Sequence, residues 1–414
     1  MAVQTATPAG EPSSSTRSRT WLATLSVVFL WGVAAWGYQL AHGLAATGMR
    51  DVVSWGMYIF TFAFFVGLSA GGLIMASSAE VFGVEALRPL SKLGVLTAAA
   101  CVAIAAIMIV PDLGRPFRLL NIVLHPNWTS PLVWDIVIIS IYFLFSVVDL
   151  WVMTRRGTRP SSRAKALRVL AYVGLPTAVL LHSITAWIFG LQIARSWWNT
   201  ALMAPLFVVS AILSGTALIA LIALAATRFD KVVVPERTWR LLAGLLAVGI
   251  AVDLFFVASD YITILWGNVP RERAALNLIL PGGSWQWLFW LEWVAGGIVP
   301  FLLLVMPSTK RRLGMMGLAS ALILVGVYAF RIELVVGGML RPMLDFPPGN
   351  ALGTYTPGRS VFQFGGVYHP TWVEYSIVAG LIALFALIVT VGYRKLRVME
   401  SADEGPRPGM PEDV

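Results

Sequence analysis

"VPDLGRPFRLLNIVLHPNWTSPLVWD", Val110 to Asp135, sets Asp112, Arg115, Arg118, His125 and Asp135 between two long apolar runs. On the surface of a soluble domain such a connection would call for no explanation. Between two segments that cross a bilayer, ionic residues are costly to place and therefore mark a surface with a purpose. The flanking sequence decides which setting applies.

The 414 residues are 58% hydrophobic and 12% charged, whereas an ordinary soluble domain carries about 25% charged residues. Ten segments reach the roughly 20 apolar residues that a spanning helix requires: 21–45, 53–79, 93–110, 131–153, 168–194, 201–226, 239–265, 285–306, 314–338 and 374–395. The expected fold is an all-α integral membrane protein of about ten transmembrane helices, and Val110–Asp135 joins the third to the fourth. Residues 1–20, rich in Ser, Thr and Pro, read as a disordered tail. The apolar run from Trp21 is longer than a signal-peptide core and reads as a retained helix.

Lysine and arginine favour the cytoplasmic side of short connections. With the N-terminus inside, 21 of the 30 basic residues fall on cytoplasmic segments, eight fall outside, and Arg331 lies within a span. The net charge of +9 is then an orientation device. It suits anionic lipid headgroups and removes nucleic acid from the expected partners. Both termini are expected in the cytoplasm of a multi-pass cell-membrane protein. The connections 111–130, 266–284 and 339–373 are long and lie outside, where ordered loops usually carry function.

"VGLSAGGLI" (Val66 to Ile74) echoes "AILSGTALI" (Ala211 to Ile219), and "PLVWD" (to Asp135) echoes "LFWLE" (to Glu292). The echo divides the chain into a flanking helix (21–52), two four-helix bundles (53–200 and 201–338), the outer loop 339–373, a second flanking helix (374–397) and a cytoplasmic tail (398–414). Recurrent small residues at helix interfaces account for the same pattern without a repeat.

Charges inside spans cost at least roughly 2.5–3.5 kcal/mol at the bilayer centre, so those present stand out. His182 and Asp253 fall near mid-helix; Asp135, Asp260, Glu292, Arg331 and Glu333 fall in outer halves. Asp253 and Asp260 share a helical face, whereas Arg331 and Glu333 point apart, so Arg331 is expected to pair with an acid on another helix. The group is either a set of structural ion pairs or a polar cavity open to the outside, continued inward by Asp253 and His182 as proton carriers. Four histidines, only His182 deep in a span, do not supply the paired axial ligands of a membrane haem, and the lone Cys101 cannot hold an iron–sulfur cluster. No haem, cluster or metal is expected in this chain. Aromatic rings crowd the outer boundary, Trp55 and Tyr58 among them. They suit an outer pocket for a flat, lipid-soluble ring beyond the belt any membrane protein carries.

"SWGMYIFTFAFFVGLSAGG" (Ser54 to Gly72) followed by "DLGRPFRLLNIVLHPNWTSPLVW" (Asp112 to Trp134) resembles the polysulfide reductase membrane-subunit (NrfD/PsrC) family, in its ten-helix branch. "YHPTWVEYS" (Tyr368 to Ser376) extends the resemblance. The resemblance implies a quinone-interacting anchor for menaquinone or ubiquinone, with the quinone near the outer surface. It also implies a ferredoxin-like iron–sulfur partner and a molybdopterin catalytic subunit. Asp112, Arg115 and Pro116 match the family's loop motif; Asp112 and Arg115 pair to order the loop, contact the partner or face the quinone head. The histidine that some members carry beside the small-residue motif is absent from Gly67–Gly72, so no quinone contact carries over there. Quinone binding or proton transfer is expected among Trp55, Tyr58, Asp112, Arg115, His125, Asp135, His182, Asp253, Asp260, Glu292, Arg331 and Glu333. A secondary transporter and a purely structural anchor are the competing readings.

Overall fold

The computed structural model describes residues 14–50, 52–155, 160–230, 232–307, 312–340, 368–396 and 398–399. All long regular elements among them are helices, and ten are long and apolar enough to cross a membrane. They are α1 (Ser18–His42), α2 (Met57–Val81), α3 (Glu85–Asp112), α4 (Pro131–Thr154), α5 (Ser161–Gly190), α6 (Met203–Phe229), α7 (Glu236–Gly267), α8 (Gln286–Val305), α9 (Leu313–Gly337) and α10 (Trp372–Lys395). The all-α membrane architecture expected from hydropathy is therefore present. The helix that contains α1 already begins at Ser14. Part of the presumed tail is thus helical, because Ser14–Thr20 holds no proline or glycine to stop the helix propagating backwards.

Local chemistry sets several ends. Pro131 opens α4 at a position where its missing N–H costs nothing. Asn268, at φ 50°, closes α7 in the left-handed conformation. Thr371 and Glu374 form a reciprocal capping box at the start of α10. Without water, hydroxyls inside the spans need partners. Ser146 donates back to the Tyr142 carbonyl at 2.8 Å and Thr97 to that of Leu93 at 2.9 Å.

The helices close into two rings. α2, α3, α4 and α5 pack in that order and α5 returns to α2; α6, α7, α8 and α9 do the same. α2 and α6 meet between the rings, α5 also touches α6, and α9 also touches α2. α1 packs chiefly on α10, which in turn leans on α3. The side from which α1 starts and at which α10 ends is called here the near face, and the opposite side the far face. On the far face, α3 and α4 are joined through a short helix, Leu119–Leu124, and α7 and α8 through Pro270–Ile279. Most of the connection 339–373 lies outside the described residues.

Glycine makes the closest helix approaches. A Cβ at Gly71 would overlap the Gly215 backbone, and one at Gly296 that of Gly326. At Gly244 a Cβ would meet nothing within 4 Å. Gly71→Ala should destabilise the detergent-solubilised protein by about 1–3 kcal/mol, whereas Gly244→Ala should leave the thermal midpoint unchanged or raise it; thermal unfolding monitored by circular dichroism compares the two.

Candidate functional site

Polar side chains gather at three places. The first lies on the far face, where α1, α2, α3 and α10 end together. Tyr58 on α2 donates its hydroxyl to Gln39 Oε1 at 2.5 Å, and Gln39 Nε2 donates to the Pro111 carbonyl at 2.8 Å. Glu374 is buried at the first turn of α10. It accepts from the Tyr368 hydroxyl at 2.5 Å, from the Gly48 amide at 2.6 Å and from the Thr371 amide at 2.9 Å. Tyr368 in turn accepts from the Met57 amide at 2.6 Å. Burial, then the nearby Glu374 carboxylate, pushes the Tyr368 phenol well above its usual range, so it stays a donor. Asp112 lies within electrostatic reach of Tyr58 and Glu374, yet its buried Oδ1 has no hydrogen-bond partner among the described residues.

Arg115 does not pair with Asp112. It is exposed, as are Arg118 and His125, on the short connection that follows. Phe117, Leu120 and Leu124 on that connection are also exposed. The Val110–Asp135 stretch thus buries its first acid and turns its cations and several apolar side chains outward. Trp55 stacks on Trp198 with ring centroids 5.6 Å apart and meets the edge of Phe189. These rings wedge the start of α2 against the connection that enters α6.

The second place is the interior of the first ring. Asp135 on α4 is buried and accepts from Thr185 Oγ1 on α5 at 2.6 Å. One turn away on α5, His182 is buried too; its ring nitrogens sit 2.9 Å from the carbonyls of Ala178 and Val66. Tyr142 donates to the Ser69 carbonyl at 2.8 Å. Asp135 thus ties α4 to α5, whereas His182, with one N–H when neutral, donates to one of its two carbonyls and leaves the other nitrogen facing an acceptor.

The third place is the interior of the second ring, and it is not satisfied. Arg331 on α9 is fully buried; it donates to Ser210 Oγ at 2.6 Å and lies 3.9 Å over the Phe207 ring. The expected ion pair to an acid on another helix is missing, and Nε and Nη1 have no partner among the described residues. Asp253 and Glu292 are near enough to act on the guanidinium through space. Glu333 accepts from Tyr261 at 2.5 Å and neighbours Glu292. One oxygen each of Asp253 and Glu333, and both of Glu292, lack partners among the described residues. Asp260, two helical turns from Asp253, accepts instead from Thr200 at 2.9 Å. A cavity of about 30 Å³ links Asp260, Tyr261 and Glu333, which is room for one or two waters. Glu292 stands in a π-helical stretch of α8, Trp290–Ile298, a form that recurs at functional sites. Among the described residues no three His, Cys, Asp or Glu side chains converge to hold a metal ion.

The description "Polysulphide reductase, NrfD" matches residues 45–343. The chain belongs to the NrfD family. Relatives extend the likeness to nearly the whole chain. A putative dimethyl sulfoxide reductase membrane subunit from Halobacterium salinarum is 36% identical, covering 95% of this chain and 94% of the relative. The Hdr-like menaquinol oxidoreductase integral membrane subunit of Archaeoglobus fulgidus is 30% identical over 89% and 91%. A selenate reductase subunit of Mesobacillus selenatarsenatis is 26% identical over 93% and 95%.

The NrfD-matched region contributes Tyr58 and Asp112 to the far-face cluster, but Gln39, Tyr368 and Glu374 come from outside it. Those three were not among the expected site residues. Glu374 had a readable signal, the Thr371-x-x-Glu374 capping pattern; Gln39 and Tyr261 had none beyond being polar in apolar runs. Arg331 offers a test of the inner cluster. Arg331→Met leaves the buried acids without their cation, a change that costs about 3–5 kcal/mol. Adding Asp253→Asn should recover part of that loss, so a double-mutant cycle of thermal unfolding should show positive coupling.

Proposed function

We propose that this chain is the quinone-interacting membrane subunit of a respiratory reductase. It exchanges electrons between the quinone pool and the iron–sulfur clusters of a partner subunit on the extracytoplasmic side, beside a molybdopterin catalytic subunit. The observation that carries the proposal is the far-face cluster: a buried Asp112 oxygen with no partner among the described residues, flanked by Tyr58 and Gln39, at the edge of the hydrocarbon. A quinol that gives up two electrons must also release two protons. At the membrane edge the Asp112 carboxylate, with one oxygen unpartnered among the described residues, is suited to take up one of those protons, and the Tyr58 hydroxyl to hydrogen-bond the ring. The connection directly after Asp112 presents Arg115, Arg118, Phe117 and Leu124 to the exterior. That mixture of cations and apolar side chains favours docking of a partner whose clusters receive the electrons. The relatives named as membrane subunits of dimethyl sulfoxide reductase, selenate reductase and menaquinol oxidoreductase type support the same reading.

Proton exchange belongs to the proposal as well. The second ring gathers buried Glu292, buried Glu333 and half-buried Asp253 around a region that holds one guanidinium, a surplus of acids suited to store protons. The water-sized cavity at Asp260 connects this store towards the far face. Asp253, Glu292 and Glu333 are then its members, with Tyr261 as the link that sequence reading missed.

Two measurements test these claims. Asp112→Asn keeps the shape but removes the proton acceptor, so quinol-linked turnover of the assembled complex should fall at least tenfold, about 1.4 kcal/mol or more, with the same set of subunits retained. Turnover equal to that of the parent protein contradicts the role. The bias of basic residues favours an orientation with the far face outside the cell. In a Cys101→Ala background, Ile193→Cys on the far face should react with a membrane-impermeant maleimide in intact cells, whereas Phe229→Cys on the near face should react only after lysis; both side chains are exposed.

A further inference from the structure

Just within the bilayer from the far-face cluster, α1, α3 and α10 enclose a cleft of about 360 Å³, lined by Trp36, Ile107, Val110, Pro111, Ile377 and Leu384. That volume is within the range of about 300–1,000 Å³ typical of small-molecule sites. Its floor is set where α1 and α10 cross at Gly32 and Gly380, whose backbones touch. Its walls are apolar, and Ile107 is 41% exposed to the surroundings, so the cleft opens sideways into lipid.

The cleft and the polar cluster are continuous along all three helices. On α1, Trp36 in the lining lies three residues before Gln39 in the cluster. On α10, Ile377 lies three residues after Glu374. On α3, Val110 and Pro111 run directly into Asp112. Each helix therefore presents an apolar residue to the cleft and, within one turn, a polar one at its closed end. One lining atom does not fit a purely hydrocarbon filling: Trp36 Nε1 is buried with no hydrogen-bond partner among the described residues. A buried indole N–H without a partner is unfavourable, because it has given up its bond to water and gained none. A phospholipid tail has nothing to offer it, whereas a ring carbonyl does.

We infer that this cleft is the entry and resting site of the isoprenoid quinone, with the tail lying between α1 and α10 and the ring drawn towards Trp36 and the Gln39–Tyr58–Asp112 group. The inference rests on the quinone reading above and adds to it a binding site built mainly from the two flanking helices. A tail arriving from the lipid is already in apolar surroundings, so long-tailed carriers gain from it by van der Waals packing of isoprenoid carbon against the walls of the cleft. Tail-less analogues gain little.

The test compares an isoprenoid quinol with its tail-less counterpart in the complex isolated with its partner subunits. Ile107→Trp fills the mouth of the cleft from its lipid-facing side, and Trp36→Phe removes only the N–H. Ile107→Trp should raise KM several-fold for the isoprenoid quinol and leave the tail-less quinol unaffected, with kcat unchanged for both. Trp36→Phe should raise KM for both, because it acts on the ring. Unaltered KM values in both variants, against an active parent complex, overturn the cleft assignment alone. So does a photoreactive isoprenoid quinone that labels α3 and α10 equally in the parent and in Ile107→Trp. A parent complex that turns over neither quinol overturns this inference together with the broader proposal.

Discussion

At Gly71 and Gly215 the backbones of α2 and α6 come together with no side chain between them. Lipid tails offer no hydrophobic reward for bringing two apolar helices into contact, so close packing must supply the attraction. The same solution recurs between α2 and α3 at Gly72 and Gly94, between α8 and α9 at Gly296 and Gly326, and between α1 and α10 at Gly32 and Gly380. The α2–α6 contact matters most, because it joins the two rings and makes α2 the shared spine of the molecule. From α2 project Tyr58 towards the far-face cluster and the Val66 carbonyl towards His182. Displacing that helix would disturb two of the three polar sites together.

The two rings treat buried polarity differently. In the first ring Asp135 and His182 each meet a partner, and their bonds join helices. In the second, Arg331 and its acids stand near one another without closing contacts. A satisfied pair stiffens a bundle, and an unsatisfied group invites water and protons.

Hydropathy made the ten spans legible, because length and apolarity are dictated by the bilayer and not by packing detail. The small-residue echo of α2 and α6 pointed to the helices that pair at the centre. Of the far-face cluster, Tyr58 and Asp112 were legible, one by its place in the aromatic boundary and the other by its motif. Gln39 and Tyr368 were not, since their roles come from α1 and α10 folding back against α2 and α3, which no local pattern announces. Arg331 was legible as an anomaly but its setting was not: the expected cross-helix ion pair gives way to Ser210 and the Phe207 ring. Spacing along one helix cannot tell which partner a neighbouring helix will offer.

The pairing of α1 with α10 has a consequence for how the protein is made. α1 packs chiefly on α10, so its main partner reaches the bilayer only after the eight helices between them. The links from Gln39 to Pro111 and Tyr58 need only α1, α2 and α3, but the bonds that Glu374 accepts from Tyr368 and Gly48 come with α10. Completion of the far-face cluster is thereby coupled to α10, and a product truncated before α10 would keep Tyr58, Gln39 and Asp112 but lack Glu374.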